Sequence, residues 1–138
     1  MSVRNHKLND LVAADPRYAA DAYFFVFEAL RYAQRRLGKL RKTQTPRSEP
    51  AREEHLSGRE LLEGVRDLAL ELYGPMTVAV FQQWGIHATS DFGEIVFNLV
   101  RSGDMKATEQ DSRADFDDVY KFDQVFCRDY RIEITDLR

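Results

Sequence analysis

The chain has 138 residues, 43% of them hydrophobic and 31% charged, with a net charge of -3. That length is one domain with room for a proper core, and the balance excludes disorder and any partner recruited by overall charge. The single cysteine, Cys127, excludes an internal disulfide and a cysteine-based zinc site.

The opening residues lack the apolar core of a secretory signal, and no apolar run approaches the ~18 residues of a membrane span. A cytoplasmic protein with no membrane contact is the expectation.

The first amphipathic piece is short. Leu8, Leu11 and Val12 fall at i, i+3 and i+4, which predicts one or two helical turns over Arg4–Ala14. Asp15-Pro16 resets the chain, with Asp15 as N-cap and Pro16 at a first helical position. The long helix that follows is predicted over Pro16–Leu37. Tyr23, Phe24, Phe25 and Phe27 crowd its circumference, so it should be contacted on more than one side. Core packing explains these rings; an exposed aromatic patch that docks a partner is the sharper alternative.

Gly38 reads as the helix stop. From Arg31 to Arg52 there are eight basic residues and one acidic residue, Glu49. Lys39–His55, with Pro46 and Pro50 and no apolar periodicity, reads as a mobile basic loop. Arg31, Arg35, Arg36, Lys39, Arg41 and Lys42 are the candidate nucleic-acid contacts. Solvated surface, or pairing with the acidic C-terminal third, are the other uses of such a run.

Ser57–Gly103 is the best-patterned stretch and reads as three consecutive helices. Ser57 and Glu60 form a capping box, with Leu56 placed to staple onto Leu61 or Leu62. Leu61, Leu62, Val65, Leu68, Ala69 and Leu72 form one apolar face. Gly74-Pro75 ends this helix and starts the next, Pro75–Trp84, whose stripe is Val78, Phe81 and Trp84. Gly85 terminates it. Thr89, Ser90 or Asp91 caps the third helix, which Gly103 ends.

The short helix, Gly-containing turn and second helix have the order of a helix-turn-helix or winged-helix-like centre. The second helix opens Asp91-Phe92-Gly93-Glu94, and its one basic residue, Arg101, sits at the far end. That chemistry is wrong for reading base edges and phosphates.

Asp104–Asp123 holds seven acidic and three basic residues. Asp111 is placed to cap a short turn through Arg113. Phe116, Tyr120, Phe122, Val125 and Phe126 should anchor this segment to the core. Lys106–Thr108 and Phe116–Tyr120 offer a small hairpin, and Tyr130–Ile134 alternates like a strand. Asp111, Asp115 and Asp118 are the candidate metal ligands, although the spacing lacks the alternating ligands and central Gly of a calcium loop. His6, His55 and His87 are far apart and have no helix-spaced metal partner. Cys127 has no nearby His in sequence to make it a catalytic thiol.

HLSGRELLEGVRDLALELYGPM, FQQWGI, TSDFGEIVFNLV, the segment Thr108–Phe116 and the aromatic helix Tyr23–Leu30 together resemble a small uncharacterised family restricted to the Planctomycetes and Verrucomicrobia group. The resemblance covers roughly Pro16–Phe126. It carries no catalytic residue to transfer and implies a bacterial, soluble, single-domain protein.

The sequence therefore predicts a mainly α single domain, 1–138, with four or five helices and a small C-terminal β element. It divides into a basic loop at 39–55, a three-helix centre at 57–103 and an acidic segment at 104–138. The leading functional reading is a non-enzymatic protein-interaction or regulatory module that binds another protein and needs no cofactor. The alternative is a nucleic-acid- or ribosome-associated protein using 31–52. A metal-dependent enzyme using the acidic segment 109–123 stands third.

Overall fold

The computed structural model describes residues 9–44, 56–105 and 112–128, with the backbone alone for 39–44 and 127–128. The fold is mainly helical. Five α-helices run in order, α1 (9–14), α2 (Ala20–Gln44), α3 (Gly58–Tyr73), α4 (Thr77–Gln83) and α5 (Thr89–Ser102), and no strand occurs among the described residues. No helix among them is long and apolar enough to cross a membrane.

Helix α1 buries Leu11 and closes where the Asp15 N–H donates to the Leu11 carbonyl at 2.9 Å. The long helix begins four residues later than Pro16. Asp15 does not cap it. Its carboxylate is taken by Arg17 instead, at 2.8 Å from Nε, and the chain turns through residues 16–18. The Ala19 N–H then donates to the Trp84 carbonyl at 3.1 Å, a tertiary bond that sets where α2 starts.

Helix α2 runs straight through Gly38 to Gln44, so the first six residues of the expected basic loop, 39–44, are helical. A terminating glycine must adopt positive φ, and Gly38 does not. In a helical conformation, a glycine only weakens the helix, by about 1 kcal/mol relative to Ala. The rest of the expected loop, 45–55, lies outside the described residues.

The aromatic run of α2 divides by face. Tyr23, Phe25 and Val26 are buried, Phe27 is half-buried and Phe24 is exposed. Helix α3 lies along α2 at very close range. A Cβ at Gly64 would stand 2.8 Å from the Ala33 Cβ and 3.2 Å from the Ala29 carbonyl oxygen, so small residues on both helices set the separation.

The α3 capping box forms as expected: the Glu60 N–H donates to Ser57 Oγ at 3.1 Å, and the Ser57 N–H donates to Glu60 Oε1 at 2.9 Å. Leu61, Leu62, Val65 and Ala69 are buried, but Leu72, on the same predicted face, is exposed.

Gly74–Met76 forms a 3-10 turn, and α4 follows from Thr77. Thr77 is fully buried, with its hydroxyl 2.7 Å from the Gly74 carbonyl oxygen and 3.2 Å from that of Ala69. Phe81 is buried at the centre of the molecule, while Val78 and Trp84 are half-buried. Phe81 meets Phe92, Phe122 and Phe126 edge-on, with ring centroids 5.3–5.6 Å apart.

The α5 N-cap is Ala88, not Thr89, Ser90 or Asp91. Asp91 nevertheless serves the helix start from inside its first turn, accepting the His87 and Ala88 N–H groups at 2.8 and 3.1 Å. Thr89 is buried and accepts the Val119 N–H at 3.2 Å, which fastens the C-terminal segment to α5. Gly103, at φ 87°, ends α5 as expected.

The C-terminal segment is held by ring anchors: Phe116, Phe122 and Phe126 are buried, Tyr120 and Val125 half-buried. Phe116 sits between two glycines. A Cβ on Gly58 would come within 3.0 Å of its ring, and one on Gly93 within 2.9 Å of its Cβ. Phe116–Tyr120 is not a hairpin strand: Phe116 ends a 3-10 turn, Arg113–Phe116, and a tight turn follows. Ser112 caps that turn, with Oγ accepting the Ala114 N–H at 3.2 Å. The segment then winds into a π-type turn, Asp123–Arg128. Asp111, Lys106–Thr108 and Tyr130–Ile134 lie outside the described residues.

Candidate functional site

Of the expected nucleic-acid contacts, Arg31, Arg35 and Arg36 have described side chains, all exposed on α2. Arg31 lies 3.8 Å from Glu28. Arg36 is bound to Asp67 and stacks over the Tyr32 ring, 5.6 Å from its centroid. Arg35 has no ion pair among the described residues. Because α2 continues to Gln44, Arg31 and Arg35 share one helical register with positions 39 and 42. The side chains of Lys39, Arg41 and Lys42 lie outside the described ones.

The expected metal ligands do not converge where they are described. Asp115 is a cap, its Oδ2 accepting the Ser112 N–H at 3.1 Å. Asp118 pairs with Lys121 Nζ at 3.0 Å and sits at φ 53°, the left-handed region where Asp is tolerated. Asp111 is outside the described residues. No group of three or more metal-ligating side chains forms among the described residues.

Asp118 and Lys121 instead flank a cleft of about 310 Å³. Its floor is Val78, Ile86 and Phe122, and His87 and Asp123 join the rim. The cleft brings together residues from α4, the α4–α5 turn and the acidic segment. Its charged groups are of both signs, and Lys121 is already committed to Asp118.

A second polar assembly ties the chain before α2 to α5. Tyr18 Oη donates to Asp91 Oδ1 at 2.6 Å. Asn98, buried, donates to Asp15 Oδ2 at 2.9 Å and lies 3.1 Å from Tyr23 Oη. Arg17 and Arg113 both reach Glu94, at 3.2 and 3.4 Å. Arg101 donates to the side-chain Oδ1 of Asn98.

The titrations follow from these contacts. The Arg17 hydrogen bond, with help from Asn98, outweighs burial and holds the Asp15 carboxyl well below the usual range. Burial, reinforced by Asp91, pushes the Tyr18 phenol upward. These groups are locked in one charge state near neutrality, which suits a structural clamp rather than proton transfer. The same clamp occupies Asp91 and Glu94 in the first turns of α5, where a recognition helix would need free donors.

The remaining feature is apolar. Leu72 and Met76 are 56% and 61% exposed at the end of α3 and the following turn, and Phe24 is 44% exposed near the start of α2. They belong to the same end of the molecule. Phe25, next to Phe24, has its ring 6.2 Å from that of Tyr73, next to Leu72. Tyr73 in turn meets Trp84 edge-on at 6.0 Å, both rings half-buried.

Carboxylates stand around this end. Glu71 and Asp21 are exposed, and Asp123 is exposed on the turn that packs against Gly74–Met76. Burial raises the Tyr73 phenol, and the nearby Asp21 charge raises it further.

No protein family, curated protein or solved structure matches the chain.

Sequence periodicity missed Leu72 because it reports the apolar side of a helix, not how far the neighbouring helix covers it. It missed Met76 and Asp21 for a related reason, since neither belongs to a stripe. The polar clamp left one local trace, Asn98 inside the apolar run Ile95–Val100.

Proposed function

We propose that the chain is a non-enzymatic protein-interaction module, and that it docks through the end built from the start of α2, the end of α3 and the Gly74–Met76 turn. The observation that carries this reading is the exposure of Leu72 and Met76 beside the Tyr73–Trp84 ring pair. Single solvated apolar side chains are ordinary on protein surfaces. Large ones gathered at one end, next to half-buried aromatic rings, have the composition of an interface core. Covering each such side chain is favourable by about 1.5–3 kcal/mol when burial is complete. We take the cytoplasm as its compartment, since a lone cysteine suits a reducing environment.

The test compares the wild-type chain with the double variant L72E/M76E in cross-linking and affinity capture from the native host. Both positions are exposed, so the variant should keep its helical circular dichroism and melting temperature. A partner recovered by the wild type and lost by the variant supports the reading. Recovery of the same partners at the same yield by both overturns it.

A second reading, nucleic-acid or ribosome association through α2, is favoured by one observation. The extension of α2 to Gln44 aligns Arg31 and Arg35 with positions 39 and 42. Phosphate contacts of this kind weaken steeply with salt. Binding of generic RNA or duplex DNA at low salt, lost in R31E/R35E, would support it. Absence of binding at low salt removes it.

A further inference from the structure

We infer that the partner covering the Leu72–Met76 end is a cationic amphipathic segment, one that presents an apolar stripe flanked by Lys or Arg. The inference rests on the docking reading above and adds the chemistry of the occupant. Its ground is charge complementarity. From Asp67 to Val100 the sequence contains no Lys or Arg, yet it holds Asp67, Glu71, Asp91 and Glu94. That stretch supplies Leu72, Tyr73, Met76 and Trp84, the whole α3–α4 side of the apolar end.

The acids at this end are not spent internally in the way those of the clamp are. Asp67 is paired with Arg36 and Arg66, and Asp91 and Glu94 are consumed by Tyr18, Arg17 and Arg113. Glu71, Asp21 and Asp123 are exposed, and none of them forms an ion pair among the described residues. The cations nearest to them in sequence are already held: Lys121 by Asp118, Arg17 by Asp15 and Glu94, and Arg66 by Asp67. A partner with an acidic or neutral polar face would bring like charges together or leave these carboxylates unmatched, whereas Lys and Arg flanking an apolar stripe would match both parts. Rim charges of this type steer association and choose between partners, while the apolar contacts supply the bulk of affinity.

The experiment uses the full chain and three designed amphipathic helices with one shared Leu/Phe face. Their polar faces carry Lys, Gln or Glu, and binding is read by fluorescence anisotropy. The Lys-faced helix should bind and the Glu-faced helix should not. D21K/E71K should weaken the Lys-faced helix roughly tenfold at low salt and admit the Glu-faced one. L72E/M76E should abolish binding. If D21K/E71K melts early, E71K alone carries the same comparison.

Equal affinity for all three helices, lost in L72E/M76E, overturns the cationic partner and leaves the docking reading standing. Binding of the Lys-faced helix that L72E/M76E does not touch overturns both. A failure of every helix to bind overturns the cationic partner, while the cross-linking comparison decides the docking reading separately. A dimer in sedimentation that L72E/M76E converts to monomer assigns the end to a second copy and overturns the inference.

Discussion

Tyr18 donates its hydroxyl to Asp91 across 2.6 Å, joining residues 73 positions apart in the chain. Tyr18 is buried, and Asp91 also accepts two backbone N–H groups at the start of α5. The two partners are therefore unequal. Removing the phenol leaves Asp91 satisfied by the backbone, whereas removing the carboxylate orphans a buried hydroxyl and two N–H groups. Tyr18→Phe should cost about 1 kcal/mol, and Asp91→Ala about 2–3 kcal/mol, in urea unfolding. Equal costs would show that the hydroxyl, and not the helix start, is the main beneficiary.

Gly85 offers a comparison of clash against strain. It sits at φ 90°, and a Cβ there would lie 1.9 Å from the Arg17 carbonyl oxygen. Gly103 has nearly the same φ, 87°, with nothing within 4 Å of an added Cβ. Gly103→Ala should cost about 1 kcal/mol, the left-handed penalty alone. Gly85→Ala must also push the chain before α2 away from the α4–α5 turn, and should cost about 3 kcal/mol or more. Similar melting temperatures for the two variants would mean that Arg17 yields freely.

Asp15 predicts a pH dependence. Its pKa is lowered in the folded state by the Arg17 hydrogen bond, so the unfolded chain takes up the proton first as pH falls. The resulting stabilisation is fully present above about pH 4, the unfolded value, and drains away as pH falls toward the folded one. Asp67 is lowered too, Arg66 and Arg36 outweighing its burial, and contributes in the same direction. Asp15→Asn should lose about 1–2 kcal/mol at pH 7. The wild-type and Asp15→Asn curves should converge as pH falls below about 4. A gap that stays constant into strong acid would contradict this linkage.

Phe24 and Phe25 are neighbours with opposite roles. Phe25 is buried and its ring lies 5.5–5.6 Å from those of Phe81 and Trp84, while Phe24 is exposed. Phe25→Ala should cost about 3–5 kcal/mol. Phe24→Ala should stay within about 0.5 kcal/mol of wild type. Chemical denaturation of the two single variants checks the contrast, and a large loss for Phe24→Ala would place its ring in the core.

Local chemistry made much of this fold legible. The Ser57–Glu60 box and the Gly103 terminator are satisfied within a few residues, so their sequence signals were sufficient. Gly38 misled because a glycine marks a helix end only when the chain bends left-handed there, and nothing in its neighbours fixes that. Gly58 and Gly93 read as ordinary residues of helix starts, whereas both make space for Phe116, a contact between three distant segments. The start of α2 was misplaced for the same reason: Asp15 resembles a cap until Arg17 and Asn98 claim its carboxylate. The candidate surface was not legible in the pattern: Leu72 shares the apolar face of α3 yet is exposed, Met76 belongs to no stripe, and most of the aromatic run is buried.

The bond from Ala19 to Trp84, the Gly85 contact on Arg17 and the Asp15–Asn98 pair bind an early stretch of chain to residues made much later. During synthesis, the segment before α2 leaves the ribosome with none of these partners yet available. At about 5–20 residues per second, several seconds pass before α5 emerges to complete them. Helices α2 and α3 already have each other in that interval, so the antiparallel pair is the natural first structure and the clamp a late one. Such long loop closures slow folding relative to local helix pairing. The half-built protein would meanwhile expose Phe25 and Phe81, which makes the interval before α5 arrives the period of greatest risk of aggregation.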